Sequence, residues 1–478
     1  MAFAEYTSYD GLGLAQLVRQ GQVTPLELLD ESIARIERHN PTLNAVIFKA
    51  YDEARAVAKG KLPDGPFKGV PFLIKDINVG VAGWPLTCGS ALCAGYVSET
   101  DTRLATLYRA AGMVLSGKTN LPEFGIPGTT EGRQLGNCRN PWNTNHSSGG
   151  SSGGAAAAVA SGIVPLAHGG DGLGSIRIPA AQCGLFGLKP TQGRNPGGPD
   201  DHGRAHGLVC DHVLTRTVRD CAAMLDWTGI AEDDSPYAAP AKARPYMDEI
   251  ATPPGKLRIA YNAETIQGIA LHPDVQATFD ATVKLLGELG HTMIEKPSLG
   301  LNLRKLYSAQ GMVSGSMMNA DLAAWSEKMG RPLDESTLEW LALSGYRAAQ
   351  KITGENAGWG LGTIRTIARQ ALGLWRDFDV LLQPVQITPA PPIGFLDPMT
   401  VRAREFNRRQ GQTFGLTPLA NLTGQPSMSV PMGMSKADNL PIGMMFTGRY
   451  ADEATLFRLA AQLEQAQPWI GRKPPVWN

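Results

Sequence analysis

Apolar positions along the chain follow two periods, and the two periods alternate. Leu28, Leu29, Ile33 and Ile36 lie on one face of a 3.6-residue repeat. Just ahead stands Thr24-Pro25-Leu26-Glu27, the order of a capping box with proline in the first turn. Residues 1–60 therefore read as helices. Residues 70–74, VPFLI, form an apolar run of strand length that ends at Lys75-Asp76. Helical spacing follows over 102–111, a strand at 113–115, a small-residue helix at 155–161 and a strand at 163–167. The alternation resumes at 256–261 (KLRIAY, strand) and 273–290 (helix), with 303–375 mostly helical. Residues 378–384 and 427–431 read as further strands. Strands alternating with helices predict an α/β fold: a large mixed sheet flanked by helices on both faces. No internal repeat divides the chain, so a single domain over 1–478 is expected.

Three stretches break the pattern. Residues 125–154 are rich in Gly, Asn, Pro, Ser and Thr, which marks a long structured loop. Residues 190–212 are polar and turn-rich, and a loop of that length suits a lid over a cleft. Residues 228–255 are acidic and proline-rich and read as a surface excursion.

Composition narrows the function classes. Lys plus Arg and Asp plus Glu are 44 each, so no basic excess points to nucleic acid. Apolar residues at 43% allow a large core. Glycine (55) and proline (34) exceed the usual share of about 12%, which implies many turns and close backbone approaches. The six cysteines form no CxxC pair, so neither a zinc nor a dithiol motif is indicated, and reduced cytosolic thiols are expected. No signal peptide, no membrane span and a cytoplasmic location are the expectation.

Three glycine-rich motifs carry candidate chemistry. Gly112–Thr119 fits GxxxxGK[ST], but its Met-Val-Leu belongs in a strand, whereas a phosphate loop needs open backbone; the strand is preferred. GGSSGG at 149–154 opens onto a helix, an anion-binding shape, and its paired serines point to a close, unusual backbone. Gly169–Pro179, GGDGLGSIRIP, places Ser175 after a glycine-rich turn where amides converge, as an oxyanion hole requires. An ordinary strand–helix turn with a capping serine stays equally open for this segment alone.

Together these segments resemble the amidase signature family. The matching blocks are VPFLIKD (70–76), GKTNLPEFG (117–125), 129–162, 169–194 and ANLTGQPSMSVPMG (420–433), in the family's order and nearly spanning the chain. The resemblance makes 65–225 the signature core and 300–375 a variable helical segment of the substrate pocket. It implies a hydrolase cleaving C–N bonds of small apolar amides (linear, cyclic or anilide) through a serine acyl-enzyme. It also implies a Ser–cis-Ser–Lys triad, here Ser175, Ser151 and Lys75. Burial would let neutral Lys75 accept a proton relayed through Ser151, since desolvation disfavours the ammonium.

The amides of Gly172, Leu173, Gly174 and Ser175 are the implied oxyanion donors. Leu173 departs from the commoner glycine and raises the question of a positive φ. Gly125 matches a position whose main chain meets substrate. Asp171 and Arg177 are expected to hold the loop. His168 is read as packed and hydrogen-bonded, Cys138 and Cys183 as packed thiols. His202, His206 and His212 match no metal spacing. No cofactor and no metal are implied; the partner is a small amide or carbamate, and a homodimer stays open.

The form GGDGLGSIRIPA resembles the family's bacterial hydrolases of xenobiotic amides, of the 6-aminohexanoate cyclic-dimer type. Urethanases of the family are plausible relatives, so carbamate or ester cleavage at the same site is a further expectation. The glutamine amidotransferase branch, kept as an alternative beside a non-catalytic binding protein, has an Asp where this chain has Phe414. Met312, Met317, Met318, Trp325 and Trp340 are candidates to line the cleft, against ordinary packing.

Overall fold

The structure is a computed structural model that describes residues 3, 5–199, 207–232, 235, 237–265 and 268–477. Its eleven strands are β1 (Val46–Lys49), β2 (Pro71–Lys75), β3 (Val114–Thr119), β4 (Leu166–Asp171), β5 (Phe186–Lys189), β6 (Cys210–Thr215), β7 (Arg258–Tyr261), β8 (Thr292–Glu295), β9 (Val380–Pro384), β10 (Ser427–Met434) and β11 (Pro441–Thr447). They form one mixed sheet in the order β1-β3-β2-β4-β6-β5-β10-β11-β9-β7-β8. β2 runs parallel to β3 and β4, whereas β6 is antiparallel to both β4 and β5.

Successive strand residues point to opposite faces, so each strand serves two cores. Phe72, Ile74, Leu166 and Val213 pack with Leu14, Leu104 and Tyr108 on one side. Leu73, Ala167 and Leu214 pack on the other with Ala155–Val164, Ile176 and Ala180. The Pro25–Leu43 helix carries the expected capping box, with Leu28, Leu29, Ile33 and Ile36 buried.

Four elements differ from the sequence reading. β3 continues to Thr119 because Lys118, buried in it, pairs with Asp76 at 3.0 Å. β4 lies three residues later than expected: Gly169 and Gly170 belong to the strand, paired with His212 and Asp211 of β6, so the turn begins at Gly172. The end of the 190–212 segment is β6, an interior strand. Of that segment, 200–206 lie outside the described residues, and with them the central part of the lid reading. The 228–255 excursion is anchored by the Tyr246–Ile250 helix, whose Tyr246 enters the core. Among the described residues no helix is long and apolar enough to cross a membrane.

Candidate active site

Lys75 is the last residue of β2, and its side chain is buried among polar atoms of three segments. Its Nζ donates to Ser151 Oγ at 2.7 Å, Ser152 Oγ at 2.9 Å and the Gly170 carbonyl at 3.3 Å. Burial pushes the ammonium down to about 7, against the carboxylates of Asp211 and Asp171, which favour the charge. Such an amine is largely neutral at pH 8 and can act as a base.

The serine pair sits in a cramped turn. The Gly150–Ser151 peptide is cis. A Cβ on Gly150 would lie 2.7 Å from the Thr129 backbone, and one on Gly154 2.6 Å from the Ala45 and Asn120 carbonyls. The helix Gly153–Ala160 spends its first amides internally: Gly153 N–H donates to Thr130 Oγ1 at 3.1 Å and Gly154 N–H to the Asn120 carbonyl at 3.1 Å. The anion-site reading of GGSSGG is therefore replaced by close packing.

Ser175 follows β4 and stays partly exposed while Ser151 and Ser152 are buried. Its carbonyl accepts from Ser152 N–H at 3.2 Å, which ties the two serine segments together. Among the described residues its hydroxyl is engaged in no hydrogen bond. Gly125, with φ +66, lies alongside: a Cβ there would meet Ser151 Oγ at 3.0 Å.

Asp171 organises the turn. Its carboxylate accepts from Gly174 N–H at 2.7 Å, Ile176 N–H at 3.2 Å, and Arg177 Nε and Nη2 at 2.9 and 3.0 Å. Burial alone would raise this carboxyl; the Arg177 guanidinium outweighs it and holds it well below the carboxylate range. The Gly174 amide is thus committed to Asp171, and Gly174 drops from the expected oxyanion donors. The amides of Gly172, Leu173 and Ser175 donate to nothing among the described residues. Leu173 needs no positive φ; Gly174 takes it instead, at +134, beneath Thr417.

Sequence reasoning missed three contributors. Thr417 Oγ1 donates to the Leu173 carbonyl at 2.6 Å. Asn421 Nδ2 donates to Asp171 Oδ1 at 3.0 Å, and Asn421 Oδ1 accepts from Arg177 Nη2 at 2.6 Å. Ser152 gives Lys75 a second hydroxyl. Ser152 and Asn421 fall in the matching blocks 129–162 and 420–433, the available signal, whereas Thr417 lies outside them.

Most of the remaining candidates among the described residues are packed. His168 is buried, and His212 bonds Cys221 Sγ at 3.2 Å with burial pushing it down to about 3. His202 and His206 lie outside the described residues. Cys138 and Cys183 are buried, which pushes Cys138 up to about 12 and keeps both as thiols. Phe414 is buried against Gly128 and joins Ile178 and Leu341. Met318 and Trp325 pack beside Phe124 and Cys88, and Met317 packs with Val313 and Ile364. Met312 abuts Gly360, while Trp340 is exposed.

The amidase family profile matches residues 27–457. The chain belongs to the amidase signature family. It is 36% identical to the 6-aminohexanoate-cyclic-dimer hydrolase of Paenarthrobacter ureafaciens, over 98% of this chain and 97% of that one. A structure of 6-aminohexanoate cyclic dimer hydrolase with substrate superposes with a TM-score of 0.93, covering 99% of this chain and all of the other at 36% identity. A bacterial aryl acylamidase of the family superposes at 0.87 with 28% identity, each chain covered to 96%. This amidase signature enzyme is accordingly a hydrolase of amide C–N bonds.

Proposed function

We propose that this enzyme cleaves small apolar amides through an acyl-enzyme on Ser175. The carrying observation is the 2.7 Å contact between buried Lys75 Nζ and Ser151 Oγ, beside the partly exposed Ser175. Ser175 Oγ attacks the carbonyl carbon. Its proton passes to Ser151 Oγ as the Ser151 proton passes to neutral Lys75. The amides of Gly172, Leu173 and Ser175 receive the oxyanion, held in place by Asp171 and Arg177. Collapse breaks the C–N bond, and the same chain returns the proton to the leaving amine. Water then attacks the ester and releases the acid.

Similarity to 6-aminohexanoate-cyclic-dimer hydrolases supports cyclic amides of aminoalkanoic acids, and the aryl acylamidase supports anilides. A carbamate presents the same carbonyl, so urethane cleavage belongs to the same reading. The glutamine amidotransferase alternative is disfavoured because the buried Phe414 ring offers no carboxylate to a substrate ammonium. The test is arylamine release from a matched N-aryl amide and N-aryl carbamate, with Ser175→Ala as blank. Release from the amide supports the reading, and release from the carbamate extends it to urethanes. Release from neither, with no fluorophosphonate labelling of Ser175, would return the chain to the non-catalytic class.

A further inference from the structure

We propose that Asp211 is a positioning residue for Lys75, acting from the opposite face of the sheet through His168. The inference rests on Lys75 being the base. β4 and β6 pair Gly170 with Asp211 and His168 with Val213, so His168 and Asp211 belong to the face of Leu166 and Tyr108. Lys75 points to the other face, toward the serine pair. His168 Nδ1 accepts the Lys75 backbone N–H at 3.3 Å. Its proton is therefore on Nε2, which donates to Asp211 Oδ1 at 3.1 Å. Asn78 Nδ2 donates to the same oxygen at 3.1 Å. A carboxylate, a neutral imidazole and a backbone amide thus fix the end of β2 from which the lysine side chain leaves.

Glycine at position 170 is a condition of this arrangement. A Cβ there would lie 2.6 Å from Asp211 Oδ1 and 2.9 Å from Asn78 Nδ2. The carboxylate occupies that space, above the backbone of the residue whose carbonyl receives Lys75 Nζ. Only a sheet's thickness separates its charge from the ammonium, and it favours the charged lysine.

Further ionisable groups stand around Lys75. Asp171 on β4 is locked to Arg177 and Asp76, just after β2, to Lys118 on β3, whereas Tyr108, from the Arg103–Ala110 helix, has its ring 6.0 Å from His168 and no hydrogen-bond partner for its hydroxyl among the described residues. Glu232 shares the recess that Asp211 borders, and accepts from Gly197 and Gly198 N–H.

The test is the midpoint of the pH dependence of the rate constant for Ser175 labelling by a fluorophosphonate, which a uniform loss of folded protein does not move. Asp211→Asn removes a charge that favours ammonium, so the acid limb should move to lower pH. About half to one unit is expected, less than the 1–3 units of a charge in direct contact. Asn78→Ala, which removes a neutral partner, should leave the midpoint in place. A slower Asp211→Asn enzyme with an unmoved midpoint would reduce Asp211 to a structural role and overturn the proposal. A wild-type enzyme whose labelling has no acid limb, or Lys75→Ala labelling as fast as wild type, would instead overturn the lysine-base reading.

Discussion

Replacing Arg177 by methionine tests what holds the turn that leads into Ser175. The guanidinium is buried and donates to both Asp171 oxygens, the Thr417 carbonyl at 2.9 Å and Asn421 Oδ1 at 2.6 Å. Arg177→Met keeps much of the volume but strands the Asp171 carboxylate, itself fully buried. Breaking a buried pair from one side costs about 3–5 kcal/mol, so equilibrium urea unfolding at pH 8 should lose that much. The deficit has a definite pH sign. In the wild type the Asp171 carboxyl lies below its unfolded value, so its contribution is constant from pH 5 to 8. Without Arg177, burial pushes the carboxyl up. The penalty is then full above the raised value and relieved as protonation neutralises the group, so the deficit should shrink toward pH 5. Arg177→Lys, a point charge without the planar fork, should fall between the two. In folded protein kcat should drop about 100-fold, the scale of one misplaced oxyanion donor, with KM less affected. A urea deficit below about 1 kcal/mol, with kcat retained, would refute the claim that this pair holds the turn.

The rate of amide hydrolysis should fall about tenfold per unit as pH drops below about 7, because protonation of Lys75 removes the base; a profile flat from pH 8 to 5 would contradict the assignment. Lys75→Arg should lose several orders of magnitude at every pH from 5 to 9, since the guanidinium stays charged. Gly174→Ala should lose stability as well as activity, because Thr417 occupies the space a methyl would enter and φ is +134; thermal unfolding beside kcat measures both. All six cysteines are buried, so native protein should react slowly with a thiol-specific disulfide reagent and release six equivalents in denaturant.

The fold class was legible in the periodicity of the chain, and Lys75, Ser151 and Ser175 were nominated by the resemblance to the amidase signature family, whose motifs are short and local. A capping box, an apolar run ending in lysine and a serine after a glycine-rich turn all show in a few residues. What escaped depends on partners distant in sequence. Gly169 and Gly170 read as a turn, since glycine weakens a strand, but β6 pairing and the nearby Asp211 carboxylate require them in the strand. The commitment of Gly174 N–H to Asp171 is a matter of geometry that no spacing encodes. Thr417 and Asn421 lie more than 240 positions from their contacts at Leu173 and Asp171. The conformation of Leu173 likewise could be settled only once Gly174 was seen to carry the positive φ.

The position of β10 has a consequence for the order of events at the ribosome. Although it is the tenth strand in sequence, it stands mid-sheet, joining β5 to β11. The N-terminal strands thus emerge with one internal edge open, waiting for residues beyond 426. Pairings of this sequence separation close slowly, and an open edge invites association with other chains. Thr417 and Asn421 emerge in the same late stretch. A nascent chain shorter than about 420 residues therefore carries Lys75, Ser151 and Ser175 without the contacts that Thr417 and Asn421 make to Leu173 and Asp171. If Ser175 is the nucleophile, hydrolytic competence is expected only at the end of synthesis: stalled chains released from the ribosome before β10 should be protease-sensitive and inert toward fluorophosphonate.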